Sequence, residues 1–124
     1  MSAEAYVSAV KAMGLVERVG ADLGYYQGDY VMLVQDEESY GSSAEWGLVV
    51  IGYGSCSGCD EWYAATSALE RAALVVDLLK AARWFATLDE AKAYVTSDDE
   101  LLKWHGHEDG WPGFVQAVQA LVGD

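Results

Sequence analysis

Tyr30-Val31-Met32-Leu33-Val34 and, after eleven intervening residues, Trp46-Gly47-Leu48-Val49-Val50-Ile51 decide the fold class. Both runs are short, rich in β-branched and aromatic side chains, and bounded by turn-forming residues. They read as two strands of an antiparallel pair. Neither run alternates polar with apolar, so burial on both faces is expected, although periodicity alone does not separate such runs from buried helix. The connection from Asp36-Glu37-Glu38 to Glu45 is long for a hairpin loop.

Upstream, Tyr6, Ala9, Val10, Met13 and Val16 recur at helical spacing with Glu4, Ser8, Lys11 and Arg18 opposite, which predicts an amphipathic helix over 3–18 closed by Gly20 and Gly24. Downstream, Ser67-x-x-Glu70 has capping-box spacing and opens a helix over 67–82 with Leu69, Ala72, Val75, Val76 and Leu79 on one face. Glu70, Asp77 and Lys80 mark its wet side. Arg83-Trp84-Phe85 fits either an extension of that helix or a short third strand. Thr87-x-x-Glu90 is a second capping box, opening a short helix through Val95. Pro112 suits a first helical position and starts a last helix that buries Phe114, Val115, Val118, Leu121 and Val122. Strands early and helices late predict a single α+β domain over 1–124: an antiparallel sheet of two to four strands packed by an N-terminal helix and two or three C-terminal helices.

The chain has 124 residues, 52% of them hydrophobic, with five Trp, eight Tyr and two Phe. That is enough apolar surface for a core without help from disulfides or metal. Twenty Asp and Glu against seven Lys and Arg give a net charge of −13. Such a field repels nucleic-acid phosphates and anionic membranes and favours basic partners or cations. The start Met1-Ser2-Ala3-Glu4 carries no basic n-region and the apolar runs are too short to span a bilayer, so a soluble cytoplasmic protein is expected, with no membrane and no direct nucleic-acid partner. Two cysteines in that compartment are expected to be reduced.

Chemistry is sought first in Gly52-Tyr53-Gly54-Ser55-Cys56-Ser57-Gly58-Cys59-Asp60, which holds three glycines and both cysteines directly after an apolar strand. A glycine turn after a strand can aim backbone N–H groups at an anion, making Gly54, Ser55, Ser57, Gly58 and Asp60, with Trp104, candidate binding residues. A P-loop lysine and a G-x-G-x-x-G pattern are both lacking. The alternative is a tight turn packed under a neighbouring helix. Cys56 and Cys59 at C-x-x-C spacing, with His105 and His107, make a candidate zinc site, since thiolate and imidazole are the ligands zinc favours. H-x-H is closer than the usual separation, and the alternative is that the thiols are small buried hydrophobes.

Taken together, Tyr26-Gln27-Gly28-Asp29, the glycine-cysteine run, Arg83-Trp84-Phe85-Ala86-Thr87-Leu88-Asp89-Glu90-Ala91 and Trp104-His105 resemble a family of small uncharacterised proteins common in bacteriophage genomes, over roughly residues 25–108. The resemblance implies a phage-like origin and action inside an infected bacterium. It implies no catalytic residue. Cys56-Ser57-Gly58 is also similar to the nucleophile motif of NlpC/P60-type cysteine peptidases, with His105 as the base. Those enzymes carry the cysteine on a helix ahead of their sheet, however, and Asp60 and Glu61 oppose thiolate formation.

Small size, acidity and the family resemblance lead to a functional expectation: a non-enzymatic phage-encoded protein that binds a host cytoplasmic protein, of the anti-defence or host-takeover type. The alternatives are a small zinc-binding protein, a DNA-mimic inhibitor whose carboxylates imitate phosphates, and, behind these, a cysteine-dependent hydrolase. Trp46, Trp62, Trp104 and Trp111 are expected to contribute in part to an aromatic binding patch.

Overall fold

The computed structural model describes residues 2–23, 28–36, 46–53, 65–97 and 110–122. Helix α1 (Ser2–Ala12) leads into β1 (Leu15–Asp22), β2 (Gly28–Asp36) and β3 (Trp46–Tyr53). Then follow α2 (Ala68–Ala81), β4 (Arg83–Phe85), α3 (Leu88–Tyr94) and α4 (Trp111–Gln119). The four strands form one antiparallel sheet in the order β1-β2-β3-β4. This is the expected α+β class, and Arg83–Phe85 is strand, paired with β3 from Trp46↔Phe85 to Leu48↔Arg83.

Unbroken apolar runs in β2 and β3 mean that both faces of the sheet are covered. On one face Met32, Val34, Val49 and Ile51 meet Tyr6 and Val10 of α1 and Val75 of α2. On the other, Val31, Leu33, Trp46 and Leu48 meet Leu88 and Ala91 of α3 and Trp111, Phe114 and Val118 of α4. Helices thus lie in pairs on either side of the sheet.

The N-terminal helix is shorter than its sequence pattern suggests, and Leu15 to Arg18 are strand. Gly14 ends the helix: it adopts φ 88, and its N–H donates to the Lys11 carbonyl at 3.1 Å. Glycine takes this left-handed conformation without the steric cost other residues bear. Apolar residues at 15, 16 and 19 suit either element. The register of β1 on β2 shifts between Glu17 and Val19, a bulge around Arg18. That shift moves Leu15 and Val19, which would otherwise share a face, to opposite sides of the sheet: Leu15 packs with α1, Val19 with the other core.

Both predicted N-caps form. Ser67 Oγ accepts from Glu70 N at 3.1 Å and Thr87 Oγ1 from Glu90 N at 3.2 Å. The reciprocal arms reach one residue beyond the cap, because Glu70 accepts from Thr66 N and Glu90 from Ala86 N. At the far end of α4, Lys92 Nζ donates to the carbonyls of Gln119 and Leu121 at 3.1 and 2.6 Å. A cation there also suits the negative end of the helix dipole. In α4 Trp111, Phe114 and Val118 are buried and Val115 and Leu121 partly so, but Val122 is 91% exposed because the helix has already ended.

Candidate functional site

Every sequence-derived site residue, Gly54, Ser55, Cys56, Ser57, Gly58, Cys59 and Asp60 in one segment and Trp104, His105 and His107 in the other, lies outside the described residues. The chain on either side of them is placed. Tyr53, at the end of β3, pairs with Gly28. Gly110 returns against the end of β1, so close that a Cβ on it would stand 2.4 Å from the Asp22 carbonyl oxygen. In the order β1-β2-β3 these points sit at one end of the sheet, two strand spacings or about 10 Å apart. Cys56 follows Tyr53 by three residues and His107 precedes Gly110 by three. Among the described residues, no three His, Cys, Asp or Glu side chains are grouped to hold a metal ion.

Trp46 is fully buried and Trp111 is 8% exposed, so neither joins an aromatic patch; both belong to the core beside α4. Trp62 and Trp104 lie outside the described residues. Among the described residues the partly exposed tryptophan is Trp84, whose ring lies over Gly47 and whose indole N–H donates to the Leu79 carbonyl at 3.1 Å.

A polar cluster sits where α1 meets the sheet. The Tyr30 hydroxyl donates to Glu17 Oε2, and Lys11 Nζ lies 3.9 Å from Glu17 Oε1. Burial first, then the bond to Glu17 and the negative charges of Glu17 and Asp22, push the Tyr30 hydroxyl well above the usual tyrosine range. It stays a neutral donor, suited to latching β2 to β1 and unsuited to nucleophilic work. Because its folded pKa is raised, its contribution is complete below about pH 10 and is lost as pH climbs above that value. Tyr30→Phe should cost about 1–2 kcal/mol at neutral pH. It should also flatten the fall of stability above pH 10, as read by urea unfolding at a series of pH values. Identical pH profiles for both proteins would refute the latch.

The surface that stands out is on α2. Its core face is carried by Val75, with Leu74, Leu78, Leu79 and Ala82 partly buried against the α1 side of the sheet. Leu69 and Val76, assigned to the buried side from spacing, are instead 82% and 42% exposed. Ala72 and Ala73 between them are exposed too. These four residues, at i, i+3, i+4 and i+7, form an apolar stripe pointing away from the core. The helix is apolar nearly all round, so two faces compete for the core. Lys80, which shares the outer face with Leu69 and Val76, is the sequence signal that identifies the wet one.

No protein family, curated protein or solved structure matches this chain. Among the described residues no helix is long and apolar enough to cross a membrane.

Proposed function

We propose that this chain is a non-enzymatic binding protein that engages a host cytoplasmic protein in an infected bacterium, with an anti-defence or host-takeover role. The observation that carries the reading is the outward stripe of α2, where Leu69 and Val76 stay in water although the opposite face of the same helix packs on the sheet. Exposed leucine and valine in register over two turns suit a protein interface. The phage context rests on the motif resemblance.

The zinc reading rests on the C-x-x-C spacing of Cys56 and Cys59 and on His105 and His107, all of which lie outside the described residues. DNA mimicry draws less support. Of the twenty acids, Glu37, Glu38 and Glu45 lie between Asp36 and Trp46. Asp60 and Glu61 follow Tyr53, and Glu108 and Asp109 precede Gly110. These seven lie outside the described residues, and the mimicry reading rests on net charge alone.

A pull-down from bacterial lysate with the intact chain as bait is the deciding experiment, and a specific protein partner that free DNA does not displace is the expected result. A partner released by DNA would favour mimicry. Turnover of a peptide substrate abolished by Cys56→Ser, without any partner, would replace the binding reading with a hydrolase.

A further inference from the structure

We propose, on the basis of the binding reading above, that the outer face of α2 receives a cationic amphipathic helix of the partner protein. The face has a seam and two dissimilar flanks. The seam is Leu69, Ala72, Ala73 and Val76, ending at Lys80, and its two alanines allow another helix to approach closely. On one flank Ala68 and Ala72 descend into a groove of about 440 Å3 that reaches Ala9 of α1 and is also lined by Thr66, Ser67, Arg71 and Val75. On the other flank Glu70 and Asp77 stand two turns apart, about 10 Å along the axis, both exposed.

Charge selects the occupant. If a second copy packed antiparallel, the Glu70 and Asp77 flank would meet the same flank of its mate, carboxylate against carboxylate. If it packed parallel, Lys80 would face Lys80. Like charges so placed are destabilising, and the −13 net charge adds long-range repulsion between copies. A helix bearing Lys or Arg at a seven-residue spacing beside an apolar seam meets Glu70 and Asp77 with opposite charge and places its seam on Leu69 and Val76. Glu70 remains available for this, since its bonds from Thr66 N and Oγ1 fix the carboxylate without neutralising it. Ser67 Oγ in turn caps the Glu70 N–H in the first turn of α2.

Two labelled synthetic helical peptides test the proposal by fluorescence anisotropy at about 0.15 M salt, where diffuse attraction is screened beyond about 8 Å. They share a leucine and alanine seam and differ in carrying lysine or glutamate on the flank. The lysine peptide should bind the intact chain and the glutamate peptide should not. Leu69→Glu with Val76→Glu should weaken binding at least about tenfold, roughly 1.4 kcal/mol. Asp77→Lys should weaken the lysine peptide and strengthen the glutamate peptide. Equal binding of the lysine peptide to the double variant would overturn the proposal, as would no binding at all or a stripe-dependent dimer in sedimentation. A partner captured through the stripe but not displaced by the lysine peptide sinks only this inference. Capture that survives both stripe substitutions sinks the binding reading with it.

Discussion

Gly47→Ala should destabilise the protein by about 2–3 kcal/mol, although alanine in a strand normally costs no more than glycine. The reason is the seat of Trp84. A Cβ on Gly47 would stand 2.5 Å from Trp84 Cζ3, 2.8 Å from Cε3 and 2.9 Å from Cη2. These are atoms of one rigid ring, so no flexible tip can give way. The ring must leave, and it takes with it the indole bond to the Leu79 carbonyl that ties β4 to the last turn of α2. Thermal melts of Gly47→Ala, Trp84→Leu and the double variant decide the matter. The pair should cost clearly less than the sum of the singles, since once the ring is gone the methyl has room. Additive costs would mean that Gly47 is needed for another reason.

Phe114→Ala should cost more, about 3–5 kcal/mol, out of a total stability of about 5–15 kcal/mol for a domain of this kind. Phe114 is 1% exposed and stacks at a tilt on Trp111 with ring centroids 5.4 Å apart. It joins α4 to Val31, Leu33, Trp46 and Leu48 on the sheet and to Leu88 and Ala91 of α3. The rigid neighbours Trp46 and Trp111 leave little freedom to collapse into the gap. A melting temperature lowered by about 10 °C or more is expected. A shift of only one or two degrees would show that α4 is peripheral to the core. The neighbouring exposed position Gln116 supplies a control, because Gln116→Ala removes no buried contact and should leave stability within about 0.5 kcal/mol.

The apolar runs of β2 and β3 and the paired Ser67/Glu70 and Thr87/Glu90 signals were legible in the sequence, because each is a local pattern with one physical meaning. The end of α1 is not legible in the same way. Gly14 and the β-branched Val16 and Val19 fit strand, but Tyr6, Val10 and Met13 set a helical period that runs on through Val16. Only pairing with β2 and the bulge at Arg18 resolves that overlap. On α2 the spacing does not separate the buried Val75 and partly buried Leu79 from the exposed Leu69 and Val76, for a related cause: Leu69, Ala72, Ala73 and Val76 make as good a helical stripe as Leu74, Val75, Leu78 and Leu79. The choice between them belongs to the sheet that α2 packs on, which no local pattern encodes. The glycine-cysteine run is conspicuous in the sequence, and it lies outside the described residues.

On the proposal above the outer face of α2 binds and does not merely pack, and one double substitution separates the two. Leu69→Glu with Val76→Glu should leave the melting temperature within about 4 °C of the parent protein, since both side chains already face water. The same variant should lose the protein partner that the parent retains from bacterial lysate. A collapse of stability would show that the stripe packs, and a partner retained undiminished would show that it does not bind.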